Sequence, residues 1–168
     1  MSTEPEILQG AGLKRGRLLL FDFLESTNSW ALAHLDSLNR GDVISAALQT
    51  GGRGRRQRRW ESSAAGRELA LSFILPVHSD PAVHQAFTQA AAVGVAEVLR
   101  GYGLKPGLKW PNDILLNSRK ICGILAEATT SSELFVLGIG LNVNTGCEDL
   151  AEWNTNIPAT SMRAESGR

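Results

Sequence analysis

Arg53, Arg55, Arg56, Arg58 and Arg59 fall within seven residues of the stretch Q-T-G-G-R-G-R-R-Q-R-R-W, from Gln49 to Trp60, with no acid among them. Guanidinium groups are planar, permanently charged donors that match carboxylate and phosphate oxygens. The interspersed Gly51, Gly52 and Gly54 let the backbone turn and come close to a ligand. Such a stretch suits a lid that closes on an anion, an arginine-rich loop lying on nucleic acid, or a solvated charge run. It is not a Walker phosphate loop, and no G-x-G-x-x-G follows a strand, so a dinucleotide fold has no support.

Three other segments could carry chemistry. Residues 109–125 read K-W-P-N-D-I-L-L-N-S-R-K-I-C-G-I-L. Pro111 restricts Trp110 to extended backbone, and Asn112 and Asp113 follow as polar groups beside apolar neighbours. Lys120 then opens an otherwise apolar strand. Its position alone allows an ammonium facing a pocket or one solvated at a turn. Gly123 permits close backbone approach. Ser26-Thr27-Asn28 stands at a helix start, where free N–H groups and small polar side chains either hold a carboxylate or cap the helix. Residues 138–144, G-I-G-L-N-V-N, end a strand with Asn142 and Asn144 two apart and so on one face. They could hold phosphate oxygens or hydrated Mg²⁺.

The elements that must position these groups fit one domain. A chain of 168 residues buries about 70% of its unfolded surface and needs no disulfide or structural metal. Hydrophobic residues at 43% and charged residues at 20% describe a globular chain, not a disordered one. Seventeen basic and seventeen acidic residues cancel, yet without the five arginines the balance is twelve against seventeen. One cationic segment therefore sits on a mildly acidic body. No apolar run reaches membrane-span length, and the N-terminus lacks the basic start and apolar core of a secretory signal. Cys122 and Cys147 are too few for a disulfide framework or a four-ligand zinc site, which makes a reduced cytoplasm the expected compartment. His34, His78 and His84 show no metal spacing, and nothing suggests a catalytic triad.

Residues 17–23 read as a strand. Ser26 caps a helix of about a dozen residues whose apolar side is Trp30, Leu32, Leu35 and Leu38, with Gly41 as a left-handed terminator. Strands follow at 43–49 and 69–75, separated by a long loop over 50–66. Asp80-Pro81 starts an alanine-rich helix that runs to Arg100. Four strands come next, at 104–109, 113–116, 119–127 and 133–142, with a tight hairpin turn at Asn117-Ser118. Residues 1–16 are expected to be flexible, and everything from Gly146 onward irregular. The fold class is α+β, a mixed or antiparallel sheet with helices on one face.

In this order the motifs resemble biotin protein ligases. The family pattern has Ser-Thr-Asn, a Gln followed by G-R-G-R-x-G-R-x-W, K-W-P-N-D, a Lys ahead of G-I-L, and G-x-G-x-N-x-N. The resemblance covers residues 17–162, and it implies the biotin/lipoyl ligase catalytic fold, akin to class II aminoacyl-tRNA synthetases. By resemblance, Ser26, Thr27, Asn28, Gln49, Gly52, Arg53, Gly54, Arg55 and Lys120 bind biotin. Arg55, Arg56, Arg58, Trp60, Asn112 and Asn142 meet the nucleotide, Asp113 meets Mg²⁺, and Lys120 and Arg55 serve catalysis. Biotin and ATP·Mg²⁺ would be consumed to biotinylate a lysine of the biotin carboxyl carrier protein of acetyl-CoA carboxylase. A cytoplasmic enzyme is implied, with no DNA or membrane partner and with room for a homodimer through a sheet edge.

Two departures stand out. Gln57 replaces the usual loop glycine, which would strain the loop if a positive φ is needed there. The family continues past Thr160-Ser161-Met162 into a C-terminal β-barrel, so residues 163–168 are expected to be a tail. The alternative is a biotin- or adenylate-binding protein without efficient transfer.

Overall fold

The computed structural model describes residues 4–10, 15–130, 132–153 and 155–167, and of Gln57 and Pro81 the backbone alone. In chain order the elements are β1 (Glu6–Gln9), β2 (Arg17–Leu24), α1 (Thr27–Ala33), β3 (Val43–Gln49), β4 (Gly52–Arg53), β5 (Arg59–Trp60), β6 (Glu68–Pro76) and α2 (Pro81–Gly101). They continue with β7 (Gly107–Lys109), β8 (Asp113–Leu116), β9 (Arg119–Ala128), β10 (Leu134–Asn142), α3 (Cys147–Glu152) and α4 (Met162–Ser166). Among the described residues, eight strands form one sheet in the order β1-β2-β3-β6-β10-β9-β8-β7, and β4 and β5 form a separate ribbon. Within the large sheet β2 and β3 pair in parallel and the other neighbours antiparallel.

Strand alternation sorts side chains onto two faces. On one, Phe135, Leu137 and Leu141 of β10 join Cys122 and Ile124 of β9 and pack against Ala92 and Leu99 of α2. On the other, Val136 of β10 joins Ile74, Ile44, Ala46, Leu19 and Phe21 under Ala31 of α1 and the Leu35 and Leu38 that follow it. The sheet is mixed, as expected, but the register puts α1 and α2 on opposite faces instead of one. The physical reason is that the central strands are apolar on both sides and each side must be covered.

The alanines of α2 let the helix lie close to the sheet, and its start is fixed by the Asp80 carboxylate accepting from Ala82 N–H at 2.8 Å. The hairpin turn falls where expected. Asn117 and Ser118 both have positive φ, 48° and 63°, and connect β8 to β9 through the Leu116–Arg119 pair.

Three local expectations change. The first helix ends at Ala33 and gives way to a three-residue 3₁₀ turn at Leu35–Ser37. There the Ser37 hydroxyl donates to the His34 carbonyl at 2.9 Å, a local bond that competes with helix propagation. Leu35 and Leu38 are buried all the same, and Gly41 is left-handed at φ 94° just ahead of β3. Of the N-terminal stretch, residues 1–3 and 11–14 lie outside the described residues, while Glu6–Gln9 pairs with β2 as an exposed edge strand. The region after Gly146 is not irregular throughout: it holds α3 and α4, the latter capped by the Ser161 hydroxyl accepting from Ala164 N–H. Among the described residues, no helix is long and apolar enough to cross a membrane.

Candidate active site

The α1 face of the sheet carries a cleft of about 680 Å³, a size suited to a small-molecule ligand. Its floor is made by small residues at aligned positions: Ala70 on β6, Gly138 and Gly140 on β10, and Gly123 on β9. Two of these positions admit no side chain. A Cβ on Gly138 would sit 2.3 Å from Asn28 Oδ1, and one on Gly140 would sit 2.5 Å from Trp60 Cε2. Gly140 and Gly123 are cross-strand partners, so the Trp60 indole lies over a flat glycine pair. This is the physical content of G-x-G in β10.

Ser26-Thr27-Asn28 and Gln49 meet because β2 and β3 run parallel. Leu24 pairs with Gln49, which brings both strand ends to the same edge of the sheet. Gln49 Oε1 accepts from Thr27 N–H at 2.8 Å and from the Thr27 hydroxyl at 3.1 Å. Its amide nitrogen is thereby left to face a ligand. The N–H groups that suggested a carboxylate site are partly committed, Thr27's to Gln49 and Ser29's to the Ser26 hydroxyl at 3.3 Å. The segment offers the cleft side chains more than helix-end amides. Behind it, the fully buried Ser72 hydroxyl lies 2.8 Å from Thr27 Oγ1 and 2.6 Å from Asn28 Oδ1.

The long loop folds as a ribbon. Gly52 pairs with Trp60 and Arg53 with Arg59, Gly54 N–H donates to Arg58 carbonyl at 2.7 Å, and the tip turns through Arg56 at φ 56°. The positive φ thus falls at Arg56; the Gln57 side chain lies outside the described residues. Thr50 and Gly51 N–H groups donate to the Leu24 and Glu25 carbonyls, which ties the base of the ribbon to the end of β2. Two guanidinium groups then span the cleft. Arg53 Nη2 stands 2.8 Å from Glu127 Oε2, and Arg55 Nη1 donates to Asn112 Oδ1 at 3.1 Å. Arg53, Gly54, Arg55, Arg56, Arg58 and Trp60 all line the cleft; Gly52 does not, being pressed against the Trp60 carbonyl and Gln49.

Opposite the ribbon, the Trp110–Pro111 peptide is cis. Asn112 is locked to β9 by its carbonyl accepting from Ile124 N–H at 2.9 Å and its Nδ2 donating to Ile124 carbonyl at 3.1 Å. The ammonium of Lys120 faces the cleft, 2.7 Å from Asp113 Oδ1 and 5.8 Å from the centroid of a Trp60 ring. Of the two asparagines at the end of β10, Asn142 lines the cleft and Asn144 does not. The strand stops at Asn142, where the chain turns and both Val143 and Asn144 donate to the Arg67 carbonyl. Face alternation holds only inside a strand.

Trp60 Nε1, a donor, and Asn142 Oδ1, an acceptor, are buried on the cleft wall without a hydrogen-bond partner among the described residues. Buried polar atoms rarely stay unpaired, so both are suited to a polar ligand.

Three contributions were not visible in the sequence. Ser72 and Glu127 carried no motif, and their roles come from strand register. The wall beside Lys120 is built by the returning chain. Residues 158–160 lie parallel to β9, with Lys120 N–H donating to the Pro158 carbonyl at 2.7 Å and Thr160 N–H to the Lys120 carbonyl at 2.8 Å. Asn142 Nδ2 donates to the Thr160 carbonyl at 2.9 Å. The Cys122 thiol, by contrast, points to the α2 face, and burial pushes its pKa up to about 12. It takes no part in the cleft.

The biotin/lipoate A/B protein ligase family matches residues 20–144 of this chain. The chain is 34% identical over 166 residues to the bifunctional ligase/repressor BirA of Escherichia coli, which covers 90% of this chain and 51% of that protein. It is 30% identical over 149 residues to the biotin–[acetyl-CoA-carboxylase] ligase of Paracoccus denitrificans, covering 85% and 61%. Among solved structures, biotin protein ligase from Aquifex aeolicus in complex with biotin and ATP superposes with a TM-score of 0.73 at 26% identity, over 90% of this chain and 61% of that one. The biotin acetyl coenzyme A carboxylase synthetase of Helicobacter pylori with bound biotinylated ATP gives a TM-score of 0.65 at 28% identity, over 85% and 66%. The chain spans about half the length of the first curated relatives it matches.

Proposed function

The chain belongs to the biotin/lipoate A/B protein ligase family, and from that premise we propose that it activates biotin with ATP and transfers the biotinyl group to a lysine of a biotin carboxyl carrier protein. The observation that carries this reading is one cleft walled by Ser26, Thr27, Asn28, Gln49, the arginine ribbon, Asn112, Asp113, Lys120 and Asn142.

In the first step a biotin carboxylate oxygen attacks the α-phosphorus of ATP, pyrophosphate leaves, and biotinyl-5′-AMP forms. Carboxylate and triphosphate repel each other, so the site must hold them in line and spread the developing charge. Lys120 serves this step from the middle of the cleft. Its contact with Asp113 holds the ammonium in place until the anions take over. Gln49 and the Ser-Thr-Asn segment hold the uncharged end of biotin. Trp60, Asn142, Asn112 and the outer arginines Arg56 and Arg58 take the nucleotide. Arg55, tied to Asn112, keeps the ribbon across both ligands. In the second step the acceptor amine attacks the anhydride carbonyl, AMP leaves and an amide remains. No protein nucleophile is needed. The closed ribbon keeps water from the anhydride.

Mg²⁺ bound with ATP would neutralise phosphate charge, and Asp113 is the residue that would help to hold it. The donor set fits a metal of that kind: Asp113 offers a hard carboxylate oxygen, and no group of three His, Cys, Asp or Glu forms a self-sufficient cage among the described residues. A cytoplasmic location belongs to this proposal, because ATP and the carrier are met there.

The test is incubation with biotin, ATP·Mg²⁺ and a carrier domain. Pyrophosphate release with the acceptor gaining the biotin mass supports the proposal. Pyrophosphate release without labelling restricts the chain to the first half-reaction, and binding of neither biotin nor biotinyl-adenylate overturns it.

A further inference from the structure

We infer that Glu127 is the positioning residue that anchors the arginine ribbon and thereby retains the adenylate; this rests on the ligase reading above. Glu127 lies on β9 opposite Val136 of β10, on the α1 face, and it does not line the cleft. Its Oε2 accepts two bonds at once, from Asn28 Nδ2 at 2.8 Å and from Arg53 Nη2 at 2.8 Å.

Each donor is itself constrained. Asn28 Nδ2 also donates to the Leu125 carbonyl at 3.2 Å, and Asn28 Oδ1 accepts from the Ser72 hydroxyl. The amide can therefore point only one way, and its N–H aims Glu127. Arg53 belongs to β4, whose partner β5 carries Trp60. Fixing Arg53 fixes the ribbon and the indole together. The ribbon's other guanidinium tie described above, Arg55 to Asn112, ends on a neutral amide oxygen. Both bonds have an ionised donor, but Glu127 adds an opposite charge and accepts at 2.8 Å against 3.1 Å, so Glu127 is the firmer latch. It also links the Ser-Thr-Asn segment directly to the ribbon, so a ligand that orders one orders the other.

Glu127→Gln keeps one oxygen able to accept both bonds, removes the charge and turns the other oxygen into an amide donor. Its test measures release of preformed biotinyl-5′-AMP, beside the single-turnover rate of pyrophosphate formation and the melting temperature. Both partners are partly exposed, which limits the pair to a modest contribution. Release is expected to accelerate about 3- to 10-fold, with unchanged pyrophosphate formation and melting temperature. Added salt should speed release from the wild type more than from the variant, which keeps only the salt dependence of the cationic contacts to the adenylate phosphate. Glu127→Ala should release faster still.

A merely structural role would instead lower melting temperature and both rates together and leave the salt dependence in place. Release that is unchanged in Glu127→Gln, with wild-type salt dependence, overturns the inference alone. A wild type that forms no adenylate overturns the ligase reading, and this one with it.

Discussion

On the α2 side of β10, Phe135, Leu137, Ile139 and Leu141 interlock with helix and neighbouring strands. On the other side the same strand shows Val136, then Gly138, Gly140 and Asn142 beneath a polar network. The first surface is an apolar jigsaw whose positions depend on volume. The second gives up volume so that Asn28 and Trp60 can lie on bare backbone. It also carries Trp60 Nε1 and Asn142 Oδ1, buried polar atoms without a partner among the described residues. One strand with period-two alternation thus divides stability from chemistry, and substitutions should separate the two.

The largest effect is expected from Lys120→Ala, which removes the cleft ammonium that lies between Asp113 and Trp60. Pyrophosphate release in single turnover should fall by about 10²- to 10³-fold with an unchanged melting temperature. Normal release would sink the role given to Lys120. Phe135→Ala, one face away, should do the reverse. It deletes a side chain that is 1% exposed and costs about 3–5 kcal/mol by denaturant titration, while activity per folded molecule holds. A specific loss of turnover in that variant would mean that the faces are coupled.

Gly140→Ala comes next. The new Cβ must displace the Trp60 ring, so the KM for ATP should rise by about tenfold while stability changes by about 1–3 kcal/mol. An unaltered KM would show that the indole does not need the glycine floor.

The smallest effect concerns Asp42, at the far end of β3 from Gln49. It is fully buried and meets Arg17 Nη2 at 2.6 Å and the N–H groups of Arg17 and Asn39. Burial alone raises its carboxyl, but the Arg17 guanidinium and those N–H groups outweigh it and hold the group below the ordinary carboxylate range. A depressed folded pKa contributes stability above the unfolded value of about 3.9, and that stability is lost as pH falls through the folded value. The melting temperature of the wild type should therefore drop on acidification below about pH 4. Asp42→Asn should start lower and lack that part of the slope. Identical slopes would remove Asp42 from the acid response. Cleft activity at neutral pH should not distinguish the two.

The α2 face was readable from the chain because its signals are local. Asp80-Pro81, the alanine run and the Asn117-Ser118 turn each act within a few residues. The cleft face was readable only where residues sat in motifs. Asn144 was misplaced because alternation was extended past the end of β10. Ser72 and Glu127 were missed because a serine and a glutamate in strands look like ordinary alternating polar positions.

The amino-acid sequence by itself determined the strands, the long helix, the arginine stretch, the lysine and the family likeness, since propensity, capping, turn chemistry and motif spacing are all short-range. Only the tertiary structure decided which of these residues meet. The parallel β2–β3 pair joins Gln49 to Thr27, the β9–β10 register sets Gly123 beside Gly140 under Trp60, and the returning chain at 158–160 grips the backbone of Lys120. These contacts join residues tens of positions apart through backbone pairing. Pairing depends on how the whole sheet buries both of its faces at once, which no local stretch of residues encodes.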